Sequence, residues 1–269
     1  MALIYNATFD KNTRKLSFDD KAGNEIYSFT VPERAPAVDD ITKPLTFKAT
    51  QDSSTVTLTK YGYIYSSFQT SRDGGNTWVN YSTGTAITLN TGDEVSFRVN
   101  GRQKQDYNKY FKFNMTGKIE AWHNVMSMIE SDNFATHKNA EKYAFYGMFD
   151  SCTSLTKAPV LPANRLNESC YQFMFSGCRS LTKAPELPAT YLHNSCYYSM
   201  FSGCQSLKEV RISATTITPE WANALTYWLY GVSETGDFYC DPNATIFPTG
   251  TSGIPKNWRR LNINDYPTT

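Results

Sequence analysis

At 269 residues the chain exceeds one typical domain, and 26 Lys+Arg against 25 Asp+Glu leave a net charge of +1, which removes the electrostatic case for a dedicated nucleic-acid binder. Hydrophobic residues make up 40% and aromatic residues 14%, with 18 Tyr and 16 Phe, enough for a sizeable core and too much for a disordered chain. The polar remainder is rich in Ser, Thr and Asn rather than in charge, and with a mean hydropathy of −0.48 it suits a soluble β-rich particle better than a helical bundle.

The opening Met1-Ala2-Leu3-Ile4-Tyr5-Asn6 meets Asp10 and Lys11 before any long apolar run, so neither a secretory signal peptide nor a membrane span is expected. A chain made and kept in a cytosol begins with its six cysteines reduced. Residues 1–31 read as three strands around Leu3–Phe9, Arg14–Phe18 and Glu25–Val31. Three such strands barely close a core alone. A Pro-rich linker over 32–43, opening Pro32-Glu33-Arg34-Ala35-Pro36 with Pro44 beyond, is stiff and extended. A weakly self-sufficient strand module on such a tether points to assembly by edge pairing with another subunit or a larger particle; the alternative is packing on the chain's own next domain.

Residues 44–120 alternate in strand fashion at Leu45-Thr46-Phe47, Thr55-Val56-Thr57-Leu58, Ala86-Ile87-Thr88-Leu89 and Val95-Ser96-Phe97-Arg98-Val99, with Gly/Asn/Asp clusters between. A small β-sandwich of immunoglobulin-like type is the expectation. Within it, Ser71-Arg72-Asp73-Gly74-Gly75-Asn76-Thr77-Trp78 resembles the Asp-box of sialidases, which is a hairpin remote from catalysis. One copy in a short domain reads as a tight turn, because Asp-Gly-Gly-Asn supplies the positive-φ positions such a turn needs.

The second half is organised by a repeat. Met148-Phe149, Met174-Phe175 and Met200-Phe201 recur every 26 residues. Cys152, Cys178 and Cys204 share a column; Cys170 and Cys196 share another, with Ala144 in the earlier place; Phe145, Tyr171 and Tyr197 form a third. Ser154-Leu155-Thr156-Lys157-Ala158-Pro159 returns as Ser180-Leu181-Thr182-Lys183-Ala184-Pro185. A unit of this length cannot bury its own apolar face and must stack on its neighbours, which makes a solenoid. Each coil is expected to hold a short helical segment around Cys-Tyr-x-x-Met-Phe, since Tyr171, Met174 and Phe175 sit at i, i+3 and i+4, followed by an extended Leu-Thr-Lys-Ala-Pro stretch. Polar residues from Ala121 to Lys142 and the Trp- and Gly-bearing tail from Val210 to Trp258, which includes Trp221, Trp228 and Tyr230, read as the caps a solenoid requires.

The pattern Met-Phe-Ser-Gly-Cys-x-Ser-Leu-Thr-x-Ala-Pro-x-Leu-Pro-Ala resembles the BspA-like leucine-rich repeats of Bacteroidales surface proteins and of bacteriophages, crAss-like phages among them, that infect these bacteria. The tail motifs Gly-Val-Ser-x-Thr-Gly at 231–236 and Pro-Thr-Gly-x-Ser-Gly-Ile-Pro at 248–255 are similar to that family's usual ending. The resulting expectation is a mainly β or mixed fold: a β-strand anchor over 1–31, a linker over 32–43, a sandwich over 44–120, and a capped leucine-rich-repeat-like solenoid over 121–269 with its 26-residue repeats within 143–208.

No catalytic constellation accompanies these elements. Ser154-x-x-Lys157 and Ser180-x-x-Lys183 superficially match a penicillin-recognising motif, but a nucleophile is not duplicated at a repeat spacing, and the companion Ser-Asp-Asn and Lys-Thr-Gly elements are missing. Cys170 and Cys178 lack zinc-type spacing; reduced core thiols are favoured over disulfides. His123, His137 and His193 are scattered. Catalytic residues, cofactor and metal are all expected to be none. Phe173, Tyr191 and Tyr198 stand at positions that vary between copies and are the candidate ligand-facing side chains.

The resemblance implies a non-enzymatic virion protein at the particle surface, a head fibre, docked on other virion proteins through the N-terminal strands. It would be homo-oligomeric and present the repeat domain to a host surface protein or glycan, with no nucleic acid and no membrane insertion. The alternative is a bacterial cell-surface adhesin.

Overall fold

The computed structural model describes residues 6–10, 15–30, 39–217 and 223–266. The first seven residues of the expected linker and Trp221 lie outside this set. The chain divides into two compact units, residues 1–38 and 39–269.

In the first unit β1 (Asn6–Asp10), β2 (Lys15–Asp19) and β3 (Glu25–Thr30) form an antiparallel meander. The β2–β3 turn is held by Asp20, whose carboxylate accepts the backbone N–H groups of Ala22 and Asn24 at 2.8 and 3.0 Å. Gly23 supplies the left-handed residue that closes it, at φ +83°. Ile26 and Tyr27 are exposed.

The second unit begins with eight strands: β4 (Thr46–Ala49), β5 (Ser54–Tyr61), β6 (Phe68–Ser71), β7 (Val79–Tyr81), β8 (Ile87–Leu89), β9 (Glu94–Val99), β10 (Tyr110–Thr116) and β11 (Ile119–Trp122). The shorter strands of the coils follow: β12 (Asn139–Ala140), β13 (Leu155–Lys157), β14 (Arg165–Leu166), β15 (Tyr191–Leu192), β16 (Glu209–Arg211), β17 (Thr216–Ile217), β18 (Gly236–Cys240) and β19 (Trp258–Asn262). A three-stranded sheet β10-β5-β8 packs on a six-stranded sheet β13-β11-β4-β9-β6-β7. Alternation in β5 buries Ser54, Val56 and Leu58 and leaves their neighbours toward solvent, as period-two patterning requires. The two sheets meet through Phe47 and Phe113, whose centroids are 4.7 Å apart.

The sheet pair runs without a break into the solenoid. Strand β11 pairs antiparallel with β4 on one edge and parallel with β13, in the first coil, on the other. The backbone N–H of Phe113 donates to the carbonyl of Met148 at 2.8 Å. Buried residues of both parts belong to one hydrophobic cluster.

The solenoid makes about five turns and holds almost no helix. The segment expected to be helical is instead a run of linked turns. In the coil from 169 to 178, the N–H groups of Tyr171, Phe173, Phe175 and Gly177 donate to carbonyls of the next coil, at 2.7 to 3.0 Å. Those of Gln172, Met174, Ser176 and Cys178 donate three residues back within their own coil. Half of the donors a helix would use are therefore spent between coils. Every fourth residue is left-handed: Ser169 at φ +56°, Phe173 at +58° and Gly177 at +71°. Such a residue cannot sit inside a right-handed helix.

Two columns of stacked rings fill the interior. Phe113, Phe149, Phe175 and Phe201 follow one another at 5.3 to 5.6 Å with interplanar angles of 15° or less. Phe145, Tyr171, Tyr197 and Trp228 form the second at 5.3 to 6.3 Å, closed by Phe247 on Trp228. The thiols of Cys152, Cys178 and Cys204 donate to the carbonyls of Phe113, Phe149 and Phe175 at 3.0 to 3.1 Å. All six cysteines are buried and unbridged.

Candidate functional site

The turn run that spends its N–H groups between coils also fixes which side chains face outward. In the coil 169–178 the pairs Cys170-Tyr171 and Met174-Phe175 point into the core, and Gln172-Phe173 lies between them, half-buried. The inter-coil bonds align this outward pair with Tyr146-Gly147 before it and with Tyr198-Ser199 and Thr226-Tyr227 after it. Each coil carries one ring in the pair, and the ring alternates between the two positions: Tyr146, Phe173, Tyr198, Tyr227.

These rings touch. Centroids are 5.7 Å apart from Tyr146 to Phe173, 5.6 Å from Phe173 to Tyr198 and 6.5 Å from Tyr198 to Tyr227, each pair near-perpendicular at 80° to 87°. Tyr230, three residues on in the same coil, flanks Tyr227 at 6.0 Å. At the other end Tyr110 of β10 meets Tyr146 at 5.3 Å and stacks on Tyr61 of β5 at 4.9 Å. Tyr143 joins from the side, 5.9 Å from Tyr146 and 6.2 Å from Tyr107. Tyr61, Tyr107, Tyr227 and Tyr230, at the ends and side of the row, are 38 to 61% exposed, and Tyr110, Tyr146, Phe173 and Tyr198 between them are half-buried, so the row is a ridge that reaches solvent along one side of the coils.

The ridge costs the backbone something. Tyr143, Phe173 and Tyr227 have φ of +57°, +58° and +54°, a region that costs an L-residue roughly 1–2 kcal/mol. Neither column needs a ring there, since Gly147 and Ser199 hold the place of Phe173 and Tyr227 in other coils, and Ser169 and Ser195 hold that of Tyr143. Edge-to-face pairs return about 0.5–1.5 kcal/mol each, so the arrangement is tolerated.

Two lysines beside the ridge are paired. Lys112 bonds Asp150 at 2.9 Å and Lys142 bonds Glu168 at 2.8 Å, both at the end nearest the sheet pair. Burial and the neighbouring phenols push the Tyr146 hydroxyl above the ordinary tyrosine value.

Of the three side chains singled out by sequence, the structure brings Phe173 and Tyr198 together in this row and places Tyr191 elsewhere, exposed at the start of β15 in register with Thr216. Sequence reasoning missed Tyr61, Tyr107, Tyr110, Tyr143, Tyr146, Tyr227 and Tyr230. The signal was present as the alternation Tyr-Gly, Gln-Phe, Tyr-Ser, Thr-Tyr at the coil spacing, but a search for single conserved columns passes over a ring that shifts by one residue.

The other motifs are occupied by structure. Asp73 accepts the Ser71 hydroxyl at 2.6 Å and the Thr77 hydroxyl and N–H at 2.6 and 2.9 Å. These bonds hold its carboxyl well below the usual range; the Asp-box is the β6–β7 turn. Lys157 bonds Asp39 at 2.7 Å and lies over the Trp122 ring, and Lys183 bonds Glu209 at 3.0 Å. Burial pushes the thiols of Cys152, Cys196 and Cys204 up to about 12, the opposite of what a nucleophile needs. His123 accepts the Asp40 N–H at Nδ1, and burial lowers its pKa. Among the described residues no three His, Cys, Asp or Glu side chains converge to hold a metal, and no helix is long and apolar enough to cross a membrane.

A shallow open groove of about 590 Å³ lies at Lys183, Lys208, Glu209, Asp237 and Arg259. Four of those five charges are tied up as the pairs Lys183–Glu209 and Arg259–Asp237. Compared with family models, with curated proteins and with solved structures, the chain finds no match in any of the three.

Proposed function

We propose that this chain is a non-enzymatic display protein of a bacteriophage particle, a head fibre whose N-terminal strands dock on other virion proteins and whose solenoid meets the host surface. The observation that carries the attachment half is the ridge: each coil sets a ring in its outward pair, at a place that other coils fill with Gly, Gln, Ser or Thr. The virion half rests on the resemblance of the Met-Phe-Ser-Gly-Cys repeat to those of Bacteroidales phages. In this reading the sheet pair is immunoglobulin-like, the coils are BspA-like leucine-rich repeats, and the protein is a homo-oligomer. Many copies on one particle turn weak single contacts into stable attachment by avidity.

Immunogold electron microscopy on a producing culture tests this, with antibody raised against residues 39–269. Gold on phage heads is the expected result. Gold confined to cell envelopes would overturn it in favour of an adhesin. Deleting residues 1–38 should abolish incorporation while the second unit stays folded. The cut belongs there because Asp39 and Asp40 bond Lys157 and His123 of that unit.

A further inference from the structure

We infer that the aromatic ridge is a track for an uncharged, extended hexopyranose chain lying along the solenoid axis, each coil offering one ring to one stretch of sugar. The inference rests on the attachment reading above and gives it a ligand class.

Three observations converge. The first is spacing. From Tyr61 to Tyr227 six rings succeed one another at 4.9 to 6.5 Å, one per strand or coil along the stack and comparable to the advance per residue of an extended pyranose chain. A linear polymer with that repeat meets a ring at each step, whereas a compact ligand meets one or two. The second is the alternation. When the ring leaves one outward position it appears at the other, so the chain preserves a ring per coil rather than a residue type per column. Packing alone does not ask for this, because Gly147, Gln172, Ser199 and Thr226 fill the vacated places.

The third is chemistry. Between the rings stand hydroxyl and amide side chains, Gln172, Ser176, Ser202 and Thr226, all half-buried. Rings that take the apolar C–H face of a sugar, beside groups that exchange hydrogen bonds with its hydroxyls, make a surface amphipathic on the same scale as the sugar itself. A single-stranded nucleic acid would also stack on rings, but it needs cations along its backbone. Here Lys112 and Lys142 are neutralised by Asp150 and Glu168. An acidic glycan is disfavoured for the same reason.

Isothermal titration calorimetry on the full chain tests the inference, with hexasaccharides of β1,4-linked glucose, mannose and N-acetylglucosamine as probes and the corresponding trisaccharides as length controls. At least one hexasaccharide should bind. Its trisaccharide should bind about tenfold more weakly, and affinity should hold between low and high salt. Phe173→Gly and Tyr230→Ala should each weaken binding about tenfold. The first relieves a left-handed backbone and the second alters an exposed side chain, so both variants remain folded, which thermal unfolding checks. The inference is overturned if no neutral hexasaccharide binds, if both variants bind like the parent, or if binding collapses in salt. Gold on particles without sugar binding would sink the track alone. Sugar binding without gold on particles would sink the virion reading alone.

Discussion

Phe173 carries its ring on a backbone at φ +58°, and replacing it by Gly and by Ala in parallel isolates what that backbone costs. Both changes delete the same ring, its contacts with Tyr146 and Tyr198 and its partial burial, so those losses cancel between the two variants. An L-residue in the left-handed region costs roughly 1–2 kcal/mol. The extra freedom of Gly in the unfolded chain takes back about 0.4–1 kcal/mol. Phe173→Gly should therefore be more stable than Phe173→Ala by about 1 kcal/mol, the reverse of their order in a helix or strand. For a unit of this size that is a difference of about 2–4 °C in Tm, measurable by circular dichroism on both variants in one buffer. Both should melt below the parent, since each gives up two edge-to-face contacts of about 0.5–1.5 kcal/mol. An Ala variant as stable as the Gly variant would show that position 173 is not left-handed and would remove the strain argument for the ridge.

Tyr171 and Tyr197 bury hydroxyls for which no hydrogen-bond partner exists among the described residues, while Phe145 heads the same stack without one. Tyr171→Phe and Tyr197→Phe should each stabilise by about 1 kcal/mol, the lower end of the cost of an unsatisfied buried hydroxyl; a lower melting temperature would mean that the hydroxyl is satisfied. Ser151, at φ +61°, occupies the corner column that Gly177, Gly203 and Gly231 fill in later coils. Ser151→Gly should raise stability by about 1 kcal/mol, the left-handed cost less the unfolded-state freedom of Gly, and a loss in urea unfolding would assign the weight to its bond with Asp150. Because its turn bonds hold Asp73 below the ordinary value of 3.8, its contribution is complete above that pH and is lost as pH falls from there through the folded-state value. Asp73→Asn should flatten the acid limb of stability below about pH 4, and an unchanged limb would refute the assignment.

The coil was legible in the sequence because its core columns are strict. Met148, Met174 and Met200 or Cys152, Cys178 and Cys204 must meet identical surroundings in every copy. The local backbone was not legible from the same columns. Buried pairs at 170–171 and 174–175 followed by Cys178 repeat every four residues, and that spacing lies too close to a helical period for apolar pattern alone to separate the two. The residues that decide are the small ones at fixed offsets, Ser169, Gly177, Ser195 and Gly203, whose left-handed backbone a helix does not admit. The fusion of the first coil to β11 was hidden for another reason: strand pairing between distant segments leaves no local signature. Of the ridge, Phe173 and Tyr198 drew notice because they vary between coils, but membership of a shared row depends on which carbonyl each coil engages. The two-residue offset that brings Tyr227 into line appears only in those bonds.

The hydrogen bonds between coils point along the solenoid axis, and this governs how the second unit bears load. Pull the last coil away from the sheet pair and every inter-coil bond is stretched lengthwise, so the coils peel one after another and each rupture engages only the bonds of a single interface. Push sideways on the ridge and the same bonds are sheared together, with the ring columns of Phe149 and Tyr171 resisting as continuous rods. A ligand laid along the ridge would load the solenoid in the direction in which it is stiff. Tension at the tip meets a series of small, reversible steps rather than one abrupt failure.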